Sequence, residues 1–212
     1  FSHRAFINGR LPVSKLQSAF GMPAFEPLAG DLDIEAQALF PGGRGEPSPF
    51  RLILRSDLVG FVSTLPDPLN KQVDSSDGLS MELQFPERGT INILGSLQRG
   101  LAWALQVSDQ DAGWKLQRGT VTRGTAVPAL PALAGIGVYG AIDRLDLGAW
   151  TESLAAKPLP GTAAAAPASD TGAWYRLFRE ARLQIGEFYA IGHRFVDVDA
   201  DVEFGDTGWD ID

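Results

Sequence analysis

Residues Phe50 to Lys71 read FRLILRSDLVGFVSTLPDPLNK. Phe50, Leu52 and Leu54 alternate with Arg51 and Arg55, so a strand here turns apolar side chains to one side and guanidinium groups to the other. Ile53 blurs the polar side without breaking the pattern. Ser56-Asp57 marks a bulge or strand end. Leu58, Phe61, Val62 and Leu65 follow, and Pro66 and Pro68, which have no N–H to donate, stop the ladder before Lys71. The stretch predicts an apolar-faced strand, a bend, a short apolar segment and a rigid exit loop.

The same alternation recurs on both sides. Upstream, Leu32, Ile34, Ala36 and Ala38 interleave with Asp31, Asp33, Glu35 and Gln37, and the loop Pro41 to Pro49 makes a hairpin with the central strand. Asn8-Gly9 is a turn signal after Ala5 to Ile7, and Pro12 to Gly21 predicts a short helix that plugs a sheet end. Downstream, strands are expected at Met81 to Phe85, ended by Pro86, and at Thr90 to Leu97. Leu101, Trp103, Leu105 and Val107 alternate with smaller or polar residues, a turn spans Asp109 to Gly113, and Trp114 to Val121 returns. Ile136, Val138 and Ile142 follow the prolines at 128 and 131. Lys157 to Gly172 is an Ala/Pro-rich stretch that reads as a linker or long loop, and Trp174 to Glu180 as a helical turn. Finally Val196, Val198, Ala200, Val202 and Phe204 alternate with Asp197, Asp199, Asp201 and Glu203, one dry and one wet face of the kind antiparallel sheets carry. The fold class is all-β, mainly antiparallel, with one or two short helices.

Composition narrows the function. The 24 Gly and 14 Pro among 212 residues favour a turn-rich β architecture. Net charge is −8 with no basic run, which argues against nucleic acid as a partner. There is no cysteine, so disulfides and thiolate metal sites are excluded. No apolar run approaches the roughly 20 residues of a membrane helix. The chain opens at Phe1 rather than Met, as expected of a piece of a longer protein.

Chemistry-bearing motifs are sparse. Gly135, Gly137 and Gly140 match G-x-G-x-x-G, but they sit in a β-patterned segment with no helix pattern behind them, so a kinked strand is the better reading than a dinucleotide site. Asp197, Asp199 and Asp201 form D-x-D-x-D, yet an EF-hand would need Gly where Val202 stands and Glu where Gly208 stands, so a solvated acidic face is favoured over a cation site. His3 and His193 are the only histidines and have no nucleophile-elbow serine beside them. Of Trp103, Trp114, Trp150, Trp174 and Trp209, only Trp103 is in phase with an aliphatic strand face, so core or groove lining outranks sugar stacking. No catalytic residue, cofactor or metal site emerges, and the chain is not read as an enzyme.

Ser56-Asp57-Leu58 with Gly60-Phe61, followed by Leu65-Pro66 and Pro68-Leu69 with Lys71, resembles the YhdP family of AsmA-like, TamB-related bacterial proteins. Arg118 to Val121 with Gly124, the segment Gly135 to Trp150, and Asp206 to Trp209 fit the same family in the same order. The resemblance covers most of residues 1–155 and returns at 181–212. It implies a long U-shaped β-groove, polar outside and apolar inside, in a periplasmic region anchored to the inner membrane, with phospholipid moving between inner and outer membranes. Residues 1–155 would form one groove section, 156–173 a linker or loop, and 174–212 the start of the next. By parity the groove is lined by Leu52, Leu54, Leu101, Trp103, Leu105, Val107, Ile136, Val138, Val196, Val198, Val202 and Phe204. The alternative is a non-catalytic β-sandwich module of the cell envelope whose apolar faces are all core. A glycan-binding protein would need a carboxylate pair flanked by aromatics, which the sequence does not single out.

Overall fold

The computed structural model describes residues 3–15, 27–41, 49–110, 113–154, 177–205 and 208–211. The strands are β1 (His3–Pro12), β2 (Leu28–Phe40), β3 (Phe50–Ser56), β4 (Phe61–Ser63), β5 (Leu79–Glu87), β6 (Thr90–Leu97), β7 (Leu101–Gln110), β8 (Gly113–Arg123), β9 (Gly135–Asp146), β10 (Phe178–Ala190), β11 (His193–Gly205) and β12 (Gly208–Ile211). One helix, α1 (Leu147–Leu154), follows β9. The strands form a single open sheet in the order β1-β2-β3-β5-β6-β7-β8-β9-β10-β11-β12, with β4 paired to β2 off this path. The fold is thus all-β with little helix and mainly antiparallel, as the alternation predicts. β9 is the exception, running parallel to both neighbours.

The reason for these elements is the period-two pattern. Each apolar face finds an equivalent face on the adjoining strand, and a one-residue slip would turn every apolar side chain to the wrong side. Leu52 and Leu54 of β3 lie opposite Ala38 and Ala36 of β2 and opposite Leu83 and Met81 of β5. The strand ends at Ser56, where the sequence marks an end.

Beyond Ser56 the chain makes an excursion that closes one end of the sheet. Leu58 packs with Val13 and Leu32 in a buried cluster, supported by Leu11, Phe61, Leu79 and Leu97. Lys71 pairs with Ser63, and its buried ammonium donates to the carbonyls of Phe61 (3.1 Å), Gln72 (2.9 Å) and Ser75 (2.6 Å). Asp77 holds Arg99 at 2.9 Å, and the indole N–H of Trp150 in α1 donates to the Asp67 carbonyl at 3.0 Å. The exit loop is therefore built on hydrogen bonds to main-chain carbonyls as well as on its prolines.

Several local expectations change. Asn8-Gly9 is not a turn: both residues lie inside β1, opposite Glu35 and Ile34, because β2 offers a complete ladder. Pro86 does not end β5. The strand continues to Glu87 through a register shift after Gln84, an irregularity where a residue lacking N–H fits. A helical turn does begin at 13–15, but Pro12 still belongs to β1, and residues 16–21 of the expected helix lie outside the described residues. Phe178 to Glu180, expected as a helical turn, open β10. Residues 42–48, 111–112, 156–173, Trp174, Asp206 and Thr207 also lie outside the described residues.

Candidate functional site

Following the pairing from strand to strand gives one uninterrupted row. It runs Ile7, Ala36, Leu54, Met81, Gly95, Trp103, Val121, Val138, Ala181, Val202, Ile211, each opposite the next. All eleven positions are apolar or glycine. A second row on the same side runs Ala5, Ala38, Leu52, Leu83, Ile93, Leu105, Gly119, Ile136, Phe178, and the Phe178 ring lies 5.8 Å from that of Phe204. The opposite side carries Asn8, Glu35, Arg55, Ser80, Ser96, Ala102, Thr122, Tyr139, Arg182 and Asp201 in one row. At about 4.8 Å per strand step the first row has a contour of roughly 48 Å.

The register places all twelve residues singled out from sequence on this one side. Leu52, Leu54, Trp103, Leu105, Ile136, Val138 and Val202 stand in the two rows. Leu101 lies opposite Leu97, Val107 opposite Ile91, Val198 opposite Ile185, and Phe204 beside Phe178. Val196, opposite Glu187, keeps the parity of Val198 but is 57% exposed, beside Asp197 with its φ of +52°. The residues that parity left out are as informative: Met81, Leu83, Ile93 and Val121 complete the two rows, and Ile91 lies on the same side opposite Val107. They were findable from the same alternation once the hairpin register was known.

The Trp103 indole covers Gly95 across the β6–β7 ladder, so tightly that a Cβ at 95 would lie 2.3 Å from Trp103 Cζ2. Gly95 is what lets the largest side chain of the row lie along the sheet. In β9, Gly140 has φ +128°, and a Cβ there would lie 2.0 Å from the Arg123 carbonyl oxygen, so the glycine-rich run serves close strand approach.

Because β8 and β9 are parallel, residues 124–134 must cross back over the sheet. They do so on the polar side. Thr122 donates to the Ala126 carbonyl at 3.0 Å, and Arg118 donates to the carbonyls of Pro131 (3.0 Å) and Ala132 (3.3 Å) while holding Gln106. Ala104, which shares that side with Gln106, is fully buried there. A shallow cleft of about 460 Å³ runs between this strap and Ser80, Glu82, Leu94 and Ser96.

The polar side also carries a network absent from the sequence reading. The Tyr139 hydroxyl donates to Glu180 at 2.7 Å, Arg179 and Arg182 pair with Glu180, and Arg182 pairs with Asp201 at 3.4 Å. Burial, then the bond to Glu180, pushes the Tyr139 hydroxyl above its ordinary pKa. One acid of the D-x-D-x-D run is thus half of an ion pair. Among the described residues no group of three His, Asp or Glu side chains could hold a metal ion, and no helix is long and apolar enough to cross a membrane. His3 and His193 are exposed at strand starts.

Compared with known protein families, residues 2–212 match the family described as YhdP protein. No curated protein and no solved structure matches.

Proposed function

The chain belongs to the YhdP family, and from that premise we propose that its apolar side binds phospholipid acyl chains and conducts lipid between the inner and outer membranes. Family membership supports a role related to lipid transport of the AsmA-like kind. The observation that carries the finer reading is the unbroken apolar row across eleven paired strands, with no second sheet opposite it among the described residues. A sandwich would need that second sheet.

The energetics suit a passage that needs no catalysis. Each methylene entering water costs about 0.8 kcal/mol, so a 16-carbon chain costs roughly 13 kcal/mol. A continuous apolar strip removes most of that barrier. Its contour of roughly 48 Å is about three times the ~15 Å depth of one leaflet's hydrocarbon. On this reading residues 1–155 and 174–212 contribute successive parts of one lining, joined through the β9–β10 pair, in a periplasmic region of a protein anchored to the inner membrane. The proposed lining is the set of twelve residues on the apolar side, with the exposed Val196 at its margin.

Native mass spectrometry of the chain purified from bacterial cells tests this. Phospholipid should copurify with the wild type and with Ser96→Asp, on the polar side, and be lost from Leu105→Asp while circular dichroism stays β. A wild type that carries no lipid and resists loading overturns the proposal.

A further inference from the structure

Arg123 stands where the apolar side should hold another aliphatic residue. It lies opposite Leu101 of β7 and Gly140 of β9, in a row that continues to Leu97 on one flank and Leu183 on the other. Among the described residues the pairing also assigns Arg144 and Arg194 to this side, but Arg144 lies over the Tyr189 ring and Arg194 donates to Glu187.

Its hydrogen bonding is incomplete. The side chain is only 22% exposed, and Nη1 is buried without a partner. Its carboxylate neighbour is Asp143, which shares the parity of Tyr139 on the polar side, so the guanidinium reaches the border of the apolar side. Asp143 Oδ2 lies 3.8 Å from Nη2 and its side chain is fully exposed, a pairing worth little in water. Arg99 and Arg179 each also bury an Nε without a hydrogen-bond partner, but both hold a close carboxylate, Asp77 and Glu180, and Arg118 holds Gln106 and the strap. A buried N–H without an acceptor carries a desolvation cost that an incoming oxygen would relieve. The planar guanidinium fork matches the oxygens of a phosphate group. A cation bordering an apolar strip is what an amphiphile with an anionic head requires.

We propose that Arg123 is a phosphate anchor: it binds the headgroup phosphate of a phospholipid whose acyl chains lie along the rows through Trp103 and Leu105. This rests on the acyl-chain reading above. Free inorganic phosphate shares the chemistry, and the test separates the two.

The experiment compares binding of short-chain phosphatidic acid, the matching diacylglycerol, and inorganic phosphate to the full chain and to Arg123→Gln and Arg123→Lys. The wild type should prefer phosphatidic acid over diacylglycerol by about tenfold or more, as a charge-assisted contact gives. Arg123→Gln should abolish that preference with diacylglycerol binding unchanged, which also shows that the variant folds. Arg123→Lys should keep part of it. Equal binding of both lipids by the wild type, or a parallel fall for both in Arg123→Gln, overturns the anchor and leaves the acyl-chain reading standing. A wild type that binds neither lipid overturns both, and Arg123-dependent binding of inorganic phosphate alone assigns the site to the free ion.

Discussion

Trp103 and Gly95 face each other across the β6–β7 ladder, and the indole occupies the space where residue 95 would carry a side chain. The near atoms belong to the ring, at the end of a side chain that can rotate. Gly95→Val should therefore displace the indole rather than break the sheet. We expect a loss of about 1–3 kcal/mol in urea denaturation and a changed Trp fluorescence maximum. An unchanged emission spectrum would mean that the ring does not rest there.

Gly140 makes the opposite case. A Cβ there would meet the main chain of Arg123, which cannot rotate away, and the φ of +128° disfavours any other residue. Gly140→Ala should cost about 3 kcal/mol or more and separate β8 from β9. Hydrogen exchange would show it as lost protection at 118–123 and 135–140, with β5 and β6 less affected.

Lys71→Met should destabilise by about 3 kcal/mol, because three carbonyls in the 57–78 excursion lose a charged donor. Lys71→Arg should not restore the loss, since a flat guanidinium cannot point three N–H groups from one atom. Thermal unfolding of both variants checks this. A fully stable methionine variant would show that the loop is held by its apolar contacts.

Glu187 gives a pH signature. Hydrogen bonds from Tyr189 (2.9 Å) and Arg194 (2.5 Å) hold its carboxyl below the ordinary value of 4.5. A lowered folded-state pKa means a stabilisation fully present above 4.5 and lost as pH falls through the lowered value. The stability difference between wild type and Glu187→Gln should be constant near neutral pH and shrink toward zero in acid. A difference independent of pH would place the effect in packing rather than charge.

Most of the strands could be read from alternation because their two sides differ in polarity. Leu101 to Val107 and Val198 to Phe204 are clear instances. Direction and order were harder. The parallel placement of β9 leaves little mark in the sequence, because residues 124–134 look like an ordinary proline-containing loop, although eleven residues are far more than a hairpin needs. The exposure of Val196 could not be read from alternation, which carries no mark of a left-handed residue at Asp197 or of the Glu187 it faces. The side on which Arg123 lies is not legible in the sequence, since its strand neighbours Thr122 and Gly124 give no parity signal. Pairing with Leu101 was needed to reveal it.

The row from Ile7 to Ile211 crosses the strands at right angles to the chain, so its extent is set by how many strands are laid side by side and not by how long any one of them is. Strand number acts as a ruler graduated in steps of about 4.8 Å. Deleting one complete antiparallel hairpin, such as β5–β6, would shorten it by two graduations, about 10 Å, while returning the neighbouring strands to compatible polarity. Removing a single strand would reverse every direction beyond it. Within its antiparallel part, the reach of such a sheet therefore changes by pairs of strands.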